Sequence, residues 1–220
     1  MNVTAEPAAG APVALPELAV EPQVLVLPVP NDGDVDRLVG EWLAVAPELG
    51  AHRTELERIT AAACTESQQG EVAVFLSYRV RGGDLVGGAA LLTLELLDPM
   101  AGDPEERAER LTGALLGCAE RLGHTDGLAE VGARRTLSGV AAVRLRFLAV
   151  VASWPDRLDT PLVEACRWLY PVPDHPDLAW SLLFQTTDLG AADDLVGEFD
   201  RLAQSLSWAV DDADCSGHAG

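Results

Sequence analysis

Glu164-Ala-Cys-Arg-Trp-Leu-Tyr170, the turn Pro173-Asp-His-Pro-Asp177, the run Trp180 to Phe184 and a capped stretch ending at Trp208 together decide the fold. Cys166, Trp168 and Tyr170 alternate with Ala165, Arg167 and Leu169, the period of two that a pleated strand imposes. Pro171 and Pro173 end that strand. The turn is rich in residues that fix φ or bond their own backbone. Beyond it Trp180, Leu182 and Phe184 share a side, so an antiparallel hairpin is expected. After Thr186-Thr-Asp188, the run Gly190-Ala-Ala-Asp-Asp-Leu195 puts an acidic pair in the first turn of a helix, where carboxylates complement the exposed N–H groups and the dipole. Leu195, Phe199, Leu202 and Leu206 form one stripe at helical spacing. The helix is expected to lie across the hairpin and bury its apolar side.

Upstream, Val140 to Ser153 reads as a long strand in which Val143, Leu145, Phe147, Ala149 and Val151 oppose Arg144, Arg146 and Leu148, and Ala129 to Leu137 reads as a shorter one. Asp103-Pro-Glu-Glu106 has an N-cap acid, proline at the first helical position and glutamate three residues after the cap. The helix it opens carries Ala108, Leu111, Leu115, Cys118 and Leu122, with Gly123 placed to end it. Val72 to Val80 and Gly88 to Leu97 alternate about the turn Gly82-Gly-Asp84 and form another expected hairpin. Further back come a strand Gln23–Leu27, a helix with the stripe Val35, Leu38, Val39 and Trp42, and a helical stretch Glu55–Ala63 with Leu56, Ile59 and Ala63 on one side. Pro-Val-Pro occurs at 28–30 and 171–173, which is too short to mark a repeat.

With 48% hydrophobic residues in 220, the chain is long enough to bury one sizeable core. The expected layout is a flexible lead-in over 1–20, one α+β domain over 21–208 and an acidic disordered tail over 209–220. Thirty-five acids face 15 bases for a net charge of −20, and every base is arginine. The missing lysine excludes Schiff-base, phosphate-loop and Ser-x-x-Lys chemistry, because nothing supplies the amine. So negative a chain repels phosphate backbones and anionic head groups, which argues against nucleic-acid or membrane-surface partners. No run approaches the roughly 20 apolar residues of a membrane span, so no membrane insertion is expected. The first base is Arg37, so the N-terminus lacks the positive region of a secretory signal, and a cytoplasmic setting is expected. Cys64, Cys118, Cys166 and Cys215 are scattered and show no Cys-x-x-Cys pair, as small core residues do.

From residue 69 onward the order is hairpin, helix, three or four antiparallel strands and a closing helix ending Phe199-Asp-Arg-Leu-Ala-Gln-Ser-Leu-Ser-Trp208. This resembles the Mog1/PsbP-like superfamily, especially its bacterial members, whose domains close on Phe-Asp-x-Leu-Ala-x-Ser-Leu-x-Trp. The likeness covers 69–208 and is strongest over 164–208. It implies a twisted antiparallel sheet flanked by helices, an α/β/α sandwich, and a domain that acts by binding proteins. Unlike many bacterial members, this chain shows no lipobox cysteine, and its region 20–65 reads as more helical.

No residue is singled out as catalytic, cofactor-binding or metal-binding. Trp154-Pro-Asp156 has the form of a phosphatase acid loop, yet no cysteine is followed six positions later by arginine, so it reads as a strand-ending turn. Asp211, Asp212, Asp214, Cys215 and His218 are ligand types on a tail without preorganisation. His52, His124 and His175 have no Ser, Cys or acid at motif spacing, and His124-Thr-Asp126 reads as a loop after a helix. Gly-x-Ser-x-Gly, His-Glu-x-x-His and Gly-x-Gly-x-x-Gly are absent. Arg134-Arg135 and Arg144/Arg146 are the basic clusters, and the face of the latter pair is expected to be either ion-paired to its neighbours or a local anion or carboxylate contact. The sequence reading is therefore a non-catalytic protein-binding domain, a secretion-associated chaperone, adaptor or immunity-type factor, whose partner has a basic or apolar surface. The alternative is a small-molecule binder or enzyme with an enclosed cavity between sheet and helix. A homodimer joined through its sheets is a third arrangement.

Overall fold

A computed structural model describes residues 13–19, 26–29, 34–69, 73–121, 129–150 and 162–209. In chain order they form β1 (Pro16–Glu17), β2 (Val26–Val29), α1 (Val35–Val45), a 3-10 segment (Pro47–His52), α2 (Arg53–Gln69), β3 (Ala73–Arg81), β4 (Asp84–Leu96), α3 (Pro104–Arg121), β5 (Ala129–Arg135) and β6 (Ala141–Val150). Then come β7 (Leu162–Pro171), β8 (Leu178–Thr186), a 3-10 turn (Leu189–Ala191), α4 (Ala192–Gln204) and β9 (Ser207–Trp208). This is an α+β fold. Seven described strands make one antiparallel sheet in the order β2-β3-β4-β8-β7-β6-β5. Both expected hairpins are present, and β4 joins them by pairing with β8, with Ala90 opposite Phe184 and Leu92 opposite Leu182.

The alternation of β7 and β8 puts Cys166, Trp168, Tyr170, Leu182 and Phe184 on the face that α4 covers, where its stripe Leu195, Phe199, Leu202 and Leu206 is buried against them. Phe184 and Phe199 stack at 5.1 Å, and the Tyr170 hydroxyl donates to the Ala203 carbonyl at 2.8 Å. The space left there is about 10 Å³, at the limit of what one water needs. The interface between α4 and the sheet is solid.

Charge reinforces the same contact. Four arginines rise from the strands on both flanks of α4. Arg79 pairs with Glu198 and Arg81 with Asp194 on one side; Arg144 with Asp200 and Arg146 with Asp193 on the other. The acidic pair Asp193/Asp194 thus sits in the first turn of α4 and also ties it to the sheet.

Three helices share the opposite face. Val39, Trp42, Leu49 and Leu56 of the α1–α2 segment bury Val74 and Leu76 of β3. Ala108 and Leu111 of α3 bury Ala141, Val143 and Leu169. Asp103 caps α3 by accepting from the Glu105 and Glu106 amides, both at 2.9 Å. Between these two groups the cross-strand neighbours Leu91, Leu183, Leu145 and Phe147 stay half-exposed. Arg167 bonds Ser181 and pairs with Glu95 in the same strip.

Part of the expected lead-in is ordered. Pro16–Glu17 pairs with Ser207–Trp208, the Trp180 indole donates to the Ala14 carbonyl at 3.0 Å, and Leu18 packs against the α4 core. No periodicity signals this strap, because its partners lie almost two hundred residues away. The described part of the first strand of the sheet runs Val26–Val29, past Pro28 where the sequence reading stops it, and residues 23–25 lie outside the described residues. The tail beyond 209, Gly123 and the segment 151–153 lie outside them.

Candidate functional site

A pair of glycines shapes an opening between α2 and the sheet. A Cβ on Gly87 would collide with the Ser77 carbonyl and the Tyr78 ring. One on Gly88 would lie 2.5 Å from the Gln185 carbonyl and 2.6 Å from the Phe184 ring. Each glycine therefore lets an aromatic ring lie against β4, Tyr78 on the α2 side and Phe184 on the α4 side. Glycine in a strand interior marks this kind of close approach. Tyr78, opposite Gly87 in the register, also meets Trp42 at 6.0 Å with a 56° tilt.

With Tyr78 drawn down onto Gly87, a half-open cleft of about 540 Å³ remains between α2 and the ends of β3, β4 and β8. Its walls are apolar, formed by Ile59, Ala62, Leu76, Leu85, Ala89 and Val163. Its polar groups are Tyr78, Gln185, Thr187, Asp188, Glu55 and Arg58. Asp188 is fixed by accepting from the Gly87 amide at 2.8 Å. Thr186 locks the same corner: its hydroxyl donates to the Gly87 carbonyl at 2.6 Å and accepts from the Asp188 amide at 3.0 Å. No described residue bonds the Tyr78 hydroxyl or the Gln185 side chain, and Glu55, Arg58 and Asp188 make no ion pair within the described residues.

Burial, then the charges of Asp188 and Glu55, push the Tyr78 phenol up to about 12, with Arg58 opposing. At neutral pH the hydroxyl is a donor, not a base. The described lining holds no histidine, cysteine or serine. An apolar body with a few convergent polar groups is the composition of a ligand or side-chain pocket.

The residues weighed in the sequence fall elsewhere. Arg144 and Arg146 form ion pairs with Asp200, Glu130, Glu164 and Asp193. Arg134 and Arg135 are exposed on the edge strand β5, the latter paired with Glu105. His52 ends the 3-10 segment before α2, half-buried. His175 sits in the β7–β8 turn, its carbonyl and that of Val172 accepting from the buried Arg107; burial lowers the pKa of that arginine. Cys64 and Cys166 are buried and form no disulfide among the described residues, and burial followed by the Asp200 charge pushes Cys166 up to about 12. Cys118 lies on α3. Trp154–Asp156, His124–Asp126 and 211–218 lie outside the described residues, and within those described no cluster of His, Cys, Asp and Glu is arranged for a metal. Sequence reasoning missed Tyr78, Asp188 and Gln185 as a group. The available signal was the Gly87-Gly88 doublet facing an aromatic across a two-residue turn.

Fold and cleft together define an α+β protein with helices on both faces of its sheet and an acid-rimmed opening beneath α2. No family model, curated relative or solved structure matches the chain. No described helix is long and apolar enough to cross a membrane.

Proposed function

We propose that this chain is a non-catalytic protein-binding domain, a chaperone, adaptor or immunity-type factor of the kind its Mog1/PsbP-like resemblance implies, working in a cytoplasmic setting. The observation that carries this reading is the strip between α2 and α3, where Leu91, Leu145, Phe147 and Leu183 remain half-exposed on the sheet and run into the cleft. Apolar groups left open at the centre of a sheet face are what a docking partner covers. A net charge of −20 favours a partner whose surface is basic around an apolar centre, and disfavours nucleic acid.

The test is retention of a partner by the full chain in its native host. A stoichiometric protein should be retained, be shed as salt rises, and be lost on Leu183→Glu while the variant keeps its folded spectrum. Finding no stoichiometric protein, or one retained equally by the variant, overturns the reading. A second reading, a small-molecule binder, draws on the cleft volume, which lies within the ~300–1,000 Å³ of ligand pockets.

A further inference from the structure

We propose that the cleft beneath α2 is a socket for a basic side chain of the docked partner, an arginine or lysine whose apolar stem lies on Ile59, Leu85 and Ala89 and whose cation reaches Tyr78 and Asp188. The inference rests on the protein-binding reading above and assigns the cleft its part in it.

Three observations meet here. The rim carries two carboxylates, Glu55 and Asp188, against one guanidinium, Arg58, and none of the three is ion-paired within the described residues. Asp188 uses one oxygen on the Gly87 amide, which leaves the other free to accept. The hydroxyl of the half-buried Tyr78 has no partner among the described residues, and the residue lines the cleft. A long side chain with an apolar stem and a charged head matches apolar walls closed by carboxylates. The rim also sets the sign. An anionic occupant would meet two carboxylates on a protein that is already strongly negative, and a neutral one would leave both unpaired.

The placement of Arg58 gives the proposal an unusual consequence. It lies one helical turn beyond Glu55 and repels the cation, so its removal should strengthen binding.

The experiment uses the purified full chain and three probes: the N-acetyl methylamides of arginine, lysine and norleucine. Binding is followed by the amide resonances of Gly87, Gly88 and Thr187. The two cationic probes should shift them saturably and norleucine should not. Asp188→Asn, which keeps the Gly87 acceptor, should weaken binding about tenfold, the loss of one charge-assisted bond. Glu55→Gln, on an exposed helix position, should weaken it less, and Arg58→Gln should tighten it. Equal shifts from norleucine, no shift from any probe, or tighter binding of N-acetyl-glutamate methylamide would overturn the socket. Saturable cation binding by a chain that retains no protein in its host would leave the socket standing and remove the docking reading.

Discussion

Replacing Asp200 with alanine tests the packing of α4 on the sheet at its most concentrated point. One carboxylate there accepts from the Trp168 indole at 2.8 Å and from the Arg144 Nε at 2.9 and 3.1 Å. Trp168 is fully buried, so alanine would orphan an indole N–H at a cost of about 1–3 kcal/mol. The Arg144 side chain is only 11% exposed and would keep a single partner, Glu130, which is 67% exposed; losing the half-buried partner adds about 1–2 kcal/mol. A total near 3 kcal/mol, at a urea dependence of about 2 kcal/mol per molar, moves the unfolding midpoint down by about 1.5 M. Asp200→Asn keeps an acceptor for the indole and should lose about half as much. Equilibrium urea unfolding followed by tryptophan fluorescence measures both, and a cycle with Arg144→Met should return a coupling of about 1–2 kcal/mol. A midpoint change under about 0.3 M for Asp200→Ala, within the range of ordinary surface substitutions, would refute the view that this carboxylate anchors the helix.

Two further outcomes follow from buried groups and close approaches. Tyr78 and Tyr170 are the only tyrosines, and burial raises Tyr78 to about 12 and Tyr170 well above its usual 10. The unfolded chain then releases phenolic protons first, so stability is intact below pH 10 and falls from there toward 12, by about 2–3 kcal/mol for Tyr78 alone. Phenolate absorbance should appear together with loss of the folded circular dichroism; a phenolate titrating near pH 10 in the folded protein refutes the burial. Gly87→Ala and Gly88→Ala should each cost about 1–3 kcal/mol or more, as overpacking does, yet on opposite faces. The first should disturb the Tyr78 and Trp42 signals and the second those of Phe184 and Phe199, by side-chain NMR, and the same pattern from both would refute the assignment of the rings.

Much of the fold was legible because burial imposes a period that does not depend on the partner. The stripe Leu195, Phe199, Leu202 and Leu206 had to be covered by something apolar, and Cys166, Trp168 and Tyr170 had to face one way. Asp103 announced a helix start through chemistry confined to three residues. Pairing between distant strands has no such local sign. The central contact of β4 with β8 joins residues about ninety positions apart, and the strap at 13–19 finds Ser207 and Trp208 at the far end of the chain. The cleft was illegible for a related reason. Its polar groups come from α2, β3 and the end of β8, none at motif spacing, and the cavity lies beneath α2 and not beneath the well-patterned α4. Arg144 and Arg146 were read as ion-paired or as an anion contact from the acidic composition, but the clamp they form with Arg79 and Arg81 needed the helix to be placed between them.

The edges of the sheet bear on how a partner would approach. An unprotected edge strand offers a row of unpaired N–H and C=O groups to any extended chain. Here one edge among the described residues is β2, with Pro28 inside it. Proline cannot donate, which weakens that edge as a template. The other edge, β5, ends in the exposed Arg134 and Arg135 and is flanked by α3. Both edges therefore resist strand addition, whether by a second copy of the chain or by a peptide. What stays open is the face, where Leu183 and Phe147 lie between the helices and the strip leads into the cleft beside Tyr78. A partner that docks there has to match a surface, not extend a ladder, so its affinity should depend on salt and on single side chains such as Leu183 more than on backbone hydrogen bonds.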